Sequence, residues 1–244
     1  MALPQAHLWG MQGILFDKDG TLLDFEATWT PVLTRLALQA ADGDQARAAA
    51  LLDAGGLDPA TGRFRAGSAI GAGTTRTIAA LWHPDLAPDA LAEGVAAMDR
   101  AFHDHGAVHS VPLPGVGETL GALAAEGYVL GVVTNDTTAA AQVALAGTGL
   151  LAHIARVIGC DAVVHPKPAP DMVLAFADAE RIPPSEIAVV GDNRHDLEMA
   201  RAAAAGLVIG VTSGNSSAAD LAPLADVVIG SVAELPPWLH QNRK

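Results

Sequence analysis

Two aspartates stand two residues apart in Phe16-Asp17-Lys18-Asp19-Gly20-Thr21-Leu22, directly after the apolar run Ile14-Leu15-Phe16. Carboxylates so placed can hold a cation, close a turn or cap a helix, and the pair by itself leaves all three open. The apolar run followed by polar and Gly residues reads as a strand that ends where the pair begins. In an open α/β sheet, ligands bind at the C-terminal ends of the strands. Three more strand ends deliver polar groups in the same manner: Thr134-Asn135, Lys167 within Pro166-Lys167-Pro168, and Asp192 and Asp196 within Gly191-Asp192-Asn193-Arg194-His195-Asp196.

The elements that must position these residues follow from the apolar pattern. From Pro114 onward the chain alternates: helix Val116 to Glu126, strand Val129 to Thr134, helix Thr137 to Ala146, strand Arg156 to Ile158 and helix Asp171 to Ala179. Strand Ile187 to Val190, helix Asp196 to Ala205 and strands Leu207 to Val211 and Val227 to Ile229 complete it. Such alternation implies an α/β fold, a Rossmann-like parallel sheet with helices on both faces, and Val129 to Val133 is as continuously apolar as strands buried on both faces are. The span from Asp24 to Ser110 contains helical patterns at Ala27 to Ala41, Asp44 to Ala54, Thr75 to Trp82 and Pro88 to His105, and no convincing strand. It reads as an inserted helical domain, residues 24–110, interrupting a core of residues 1–23 and 111–244. Asp24-Phe25-Glu26 and Ser110 to Pro114 are the expected hinges.

Composition excludes several classes. A formal net charge of -13, with three lysines among 244 residues, is wrong for a general nucleic-acid binder. No run approaches the roughly 18 to 20 apolar residues of a membrane span. Met1 to Met11 lacks the basic start and apolar core of a signal peptide, and the lone Cys160 excludes an intramolecular disulfide framework, so a cytoplasmic setting is expected. Oligomeric state is left open. Gly115-x-Gly117-x-x-x-Gly121 follows prolines instead of a strand, which argues against a dinucleotide site. The histidines His83, His103, His105 and His109 have no supporting carboxylates at metal-ligand spacing.

The four polar strand ends, in this order and placement, resemble the four motifs of the haloacid dehalogenase superfamily, and the insertion falls where that family's helical C1 cap falls. The likeness is to its phosphoglycolate phosphatase-like members. It implies Asp17 as the nucleophile that forms an aspartyl-phosphate, Asp19 as general acid and base, and Lys167, Thr134 and the Asn135 backbone N–H as groups on the phosphoryl oxygens. Phosphoryl transfer to a carboxylate needs charge neutralisation, so Mg²⁺ is the expected cofactor, with Asp17, Asp192 and the Asp19 backbone carbonyl as ligands and Asp196 directly or in an outer role. The expected partner is a small phosphorylated metabolite. Among the cap arginines, Arg65 or Arg76 is expected to meet the substrate's distal group.

The same superfamily holds other chemistries. Its dehalogenases do not use the second aspartate, so Asp19 favours phosphate chemistry. Its phosphonate hydrolases need a cap lysine, and Asp24 to Val133 contains none. A phosphomutase is the nearest alternative, followed by a non-catalytic binding protein that keeps the fold.

Overall fold

The computed structural model describes residues 10–242. Residues 1–9 and 243–244, on which most of the leader reading falls, lie outside the described residues. Six strands form one parallel sheet: β1 (Gly13–Phe16), β2 (Val129–Val133), β3 (Arg156–Ile158), β4 (Ile187–Gly191), β5 (Leu207–Val211) and β6 (Val227–Ile229). Their order is β3-β2-β1-β4-β5-β6, so β1 is central, with Leu15 paired to Gly131 on one side and to Val189 on the other.

Side chains of β1 alternate between two cores, as a pleated strand requires. Ile14 and Phe16 enter one cluster with Leu130, Val132 and Val190, while Leu15 enters the other with Val133, Phe176 and Val189. Burial on both faces explains why these strands are unbroken apolar runs. The flanking helices are α6 (Val116–Ala125), α7 (Thr138–Gly147), α8 (Asp171–Glu180), α9 (Arg194–Ala202), α10 (Ala218–Leu221) and α11 (Leu235–Gln241). The sequence pattern did not foresee α10 or α11, which are one or two turns long and too short for a periodic signal.

Between β1 and β2 the chain is helical: α1 (Phe25–Ala40), α2 (Gln45–Gly55), α3 (Ala69–Ala72), α4 (Thr75–Trp82) and α5 (Pro88–His109). Asp24 starts α1 by accepting the Ala27 N–H at 2.9 Å, and Asp44 starts α2 in the same way. Together these helices enclose a third cluster around Trp29, Leu33, Phe64, Ile78, Trp82 and Phe102, separate from both sheet cores. Helix α5 also packs along α7, anchoring this layer to the sheet. The two crossings pair with each other: the Asp24 N–H donates to the Val111 carbonyl at 2.8 Å and the Leu113 N–H to the Leu22 carbonyl at 2.9 Å. Phe25 and Glu26, expected in a hinge, already belong to the first turn of α1 because Asp24 caps it there.

Candidate active site

Each chemical side chain sits just past a strand. Asp17 follows β1, with its N–H held by the Val190 carbonyl at 2.8 Å, so pairing to β4 continues to the carboxylate itself. Gly20 turns the loop away at φ 84°, a conformation that favours glycine, and a Cβ there would lie 2.7 Å from the Asp192 carboxylate. Thr134 and Asn135 follow β2, Lys167 lies in the loop between β3 and α8, and Asp192 follows β4. Asp196 is in the first turn of α9, where one carboxylate oxygen accepts the Asn193 N–H at 3.0 Å in a reciprocal cap.

The side chains converge. The Lys167 ammonium lies 2.5 Å from Asp17 Oδ1 and 2.6 Å from Asp196 Oδ1, nearly shut off from solvent. Asp17, Asp192 and Asp196 each offer an oxygen within 4.8 Å of the others. Asp192 is oriented by the Asn215 N–H at 3.1 Å. Three hard oxygen donors in one spot are what a divalent cation such as Mg²⁺ takes, usually alongside waters and substrate oxygens.

Protonation reports the same need for positive charge. Burial raises Asp17 to about 7, with Asp196 and Asp19 adding to the rise and Lys167 opposing it. Asp192 is pushed well above the usual carboxylate range by burial and then by Asp17 and Asp196. Burial works against the charge on Lys167, but Asp17 and Asp196 outweigh it and hold the ammonium above its ordinary value. A carboxylate cluster with one lysine is thus short of cations, and the residues fit a bound metal.

Two residues that the sequence pattern did not single out complete the arrangement. Lys18, fully buried, lies 2.6 Å from Asp19 Oδ2 and 3.3 Å from Asp136 Oδ2, with its ammonium 4.5 Å above the Trp29 ring. Burial disfavours its charge, yet Asp19 and Asp136 outweigh burial and keep it an ammonium. The Trp29 indole N–H donates to Asp19 Oδ1 at 2.6 Å, so Asp19 is gripped on both oxygens, once from the core and once from α1. A lysine between two strand-end aspartates was the available signal for Lys18; Trp29 carried only the apolar spacing of a helix face.

The Asn135 side chain joins two segments of the site. Its amide donates to the Ala72 carbonyl at 2.8 Å, while its oxygen accepts the Lys167 N–H at 3.1 Å, tying α3 to the lysine loop. Thr134 accepts the Asp136 N–H at 3.2 Å, which leaves its hydroxyl proton to donate elsewhere. The cleft they line has a volume of about 720 Å³, open mouth included, and is also lined by Phe25, Trp29, Leu33, Ile70, Ile78 and Phe102 of the helical layer.

The expected arginines are not brought here. Arg65 bends back onto the Asp53 carboxylate at 2.9 Å and the Asp53 carbonyl, and Arg76 is exposed on α4; neither lines the cleft. Arg63 pairs with Glu26 at 3.5 Å and donates to the Gly214 carbonyl at 3.2 Å, a further tie between the helical layer and the sheet. An expectation built on residue type fails for Arg65 because an acidic neighbour on α2 captures its guanidinium first.

The sequence model of the haloacid dehalogenase-like hydrolases matches residues 11–204. The chain belongs to that family. A phosphoglycolate phosphatase of Shigella boydii serotype 4 is 31% identical over 239 residues, covering 94% of this chain and 92% of that protein. Another, from Chromobacterium violaceum, is 29% identical over 94% of this chain and 96% of its own length. A hydrolase from Pseudomonas syringae shares the fold with a TM-score of 0.71 at 23% identity, covering 96% of this chain and all of its own. Family and relatives together make this chain an enzyme, a phosphatase of the haloacid dehalogenase-like superfamily. No helix among the described residues is long and apolar enough to cross a membrane.

Proposed function

We propose that the enzyme is a Mg²⁺-dependent phosphatase acting on a small phosphomonoester, as the phosphoglycolate phosphatases it resembles do, through an aspartyl-phosphate at Asp17. The observation that carries this reading is Lys167, whose ammonium joins Asp17 to Asp196 beside Asp192, so that residues from three separate strand ends meet at one point. In this reading residues 24–110 are the cap over that point, and the single free thiol suits a reducing, cytoplasmic setting.

A carboxylate oxygen of Asp17 attacks phosphorus, the bond to the leaving oxygen breaks, and Asp19 delivers a proton to that oxygen as the alcohol departs. Asp19 then accepts a proton from water, whose oxygen attacks the acyl phosphate; inorganic phosphate leaves and the Asp17 carboxylate is restored. Lys167 and the Thr134 hydroxyl neutralise the phosphoryl oxygens in both steps. Asp17, Asp192 and the Asp19 carbonyl would hold Mg²⁺, with Asp196 positioning Lys167, and the ion's chemistry there would be to offset the like-charge repulsion between nucleophile and phosphate.

The test is Asp17→Asn. Turnover of phosphomonoesters should vanish, and rapid acid quench of the unmodified enzyme should yield a phosphorylated peptide containing Asp17. Turnover retained in the variant would overturn the covalent route.

A further inference from the structure

The wall that the helical layer contributes to the cleft has a chemistry of its own. Phe25, Trp29, Leu33, Ile70, Ile78 and Phe102 make it apolar. Its polar groups are the Thr75 hydroxyl, the Trp29 indole N–H, which is already given to Asp19, and the backbone of Gly71 to Gly73. Among the described residues that line the cleft, Lys167 is the one basic chain of Lys or Arg type, and both Asp17 and Asp196 already hold it. Arg63, Arg65 and Arg76 are committed elsewhere or exposed, as described above. The sheet side offers no spare lysine either, since Asp17 and Asp196 share Lys167, and Asp19 and Asp136 share Lys18. A second anionic group on a substrate that reached these side chains would therefore be buried against aliphatic and aromatic carbon, with no lysine or arginine free to meet it; the other lining side chain of basic type, His195, stands on the sheet side in the first turn of α9.

We infer that the leaving group this site accepts is uncharged and predominantly apolar, so that alkyl phosphates are hydrolysed in preference to phosphates bearing a carboxylate or a second phosphate. The inference rests on the phosphatase reading and narrows its substrate class. It departs from what the names of the relatives suggest, because their glycolate moiety carries the charge that this wall does not meet. A bisphosphate is disfavoured for the same reason, which sets the phosphomutase alternative aside.

The test compares isobutyl phosphate with phosphoglycolate, which is similar in shape but carries a carboxylate in place of the branched methyls. Glycolate is the better leaving group, so intrinsic reactivity works against the expected result. With Mg²⁺ present, kcat/KM for isobutyl phosphate should exceed that for phosphoglycolate at least tenfold. Parity, or a preference for phosphoglycolate, would overturn the inference while leaving the phosphatase reading intact. Release of phosphate from neither compound, nor from the activated ester p-nitrophenyl phosphate, would instead overturn the phosphatase reading, and the inference would fall with it.

Discussion

The Trp29 indole N–H donates to Asp19 Oδ1 at 2.6 Å, so a residue of the first inserted helix holds the carboxylate proposed to handle the proton. Lys18 holds the other oxygen at 2.6 Å from beneath. The orientation of Asp19 therefore depends on α1 being seated over the sheet. Asn135 to Ala72 and Arg63 to Gly214 are further ties that seat the helical layer there.

Replacing Trp29 by Phe should test that dependence without emptying the cluster, because the ring would keep its edge-on packing against Phe102, whose centroid is 5.7 Å away. With the indole donor gone, Asp19 is fixed by Lys18 alone. A positioned acid is worth roughly 10²- to 10⁴-fold, and loss of one charge-assisted hydrogen bond removes about 1.5–3 kcal/mol of that positioning. Steady-state kinetics of Trp29→Phe should show kcat down by about tenfold or more with KM nearly unchanged. A rise in KM with kcat preserved would assign Trp29 to packing.

How legible this site was depends on the range of the interactions that build it. Asp17, Asp192 and Lys167 announce themselves locally, since each ends an apolar run or stands between prolines, and strand ends fall on one edge of a parallel sheet whatever the details. The grip on Asp19 is different. Trp29 stands on a helix face with Val32 and Leu33, where spacing indicates only a buried side, and nothing in the pattern distinguishes a core indole from one whose N–H reaches back to the loop. Lys18 is hidden for the same reason: its burial exists only once Asp136, from the loop after β2, is folded against it. Arg65 shows the converse error, a suitable residue type in a suitable segment whose direction is set by Asp53.

Metal binding should depend on pH in a definite direction. Burial raises Asp17 to about 7 and Asp192 well above the usual range in the metal-free protein, so both hold protons that the unfolded chain gives up from its ordinary value of 3.8. The native state therefore binds more protons than the unfolded state between 3.8 and about 7, and the contribution of Asp17 to stability falls as pH rises through that window. A cation must displace those protons, so its apparent affinity should rise by up to about tenfold per pH unit for each proton released. Thermal melts with and without Mg²⁺ should show a stabilising shift that grows from pH 5.5 to pH 8 and is largely lost in Asp192→Asn. A shift of equal size at both pH values would contradict the assignment.

Cys160 should be chemically quiet. It lies just past β3, with its N–H donated to the Asp136 carbonyl at 2.9 Å, and burial, followed by the charges of Asp161 and Asp136, raises its thiol to about 11. The thiolate is the reactive form, so at pH 8 the fraction available is roughly a thousandth. Iodoacetamide labelling followed by mass spectrometry should be slow for the native chain and fast once urea unfolds it. Rapid labelling of the native chain would show the thiol to be activated.

The framework can be challenged at Gly131, the middle residue of β2, which is paired with Leu15 of β1. A Cβ there would lie 2.5 Å from the Phe176 ring and 2.7 Å from Leu15 Cδ2, and Phe176, fully buried, belongs to the same core as Leu15. Neither neighbour is the free end of a flexible chain on the surface, so Gly131→Ala forces repacking between the two strands that carry Asp17 and Thr134. Overpacking of this kind costs about 1–3 kcal/mol, or several degrees in Tm for a chain of this size. Phe176→Leu in the same chain should return part of the loss by making room, giving a coupling free energy of opposite sign to the single effects. Thermal denaturation of the two single variants and the double variant measures it; strictly additive losses would show that the sheet accommodates the methyl group without pressing on Phe176.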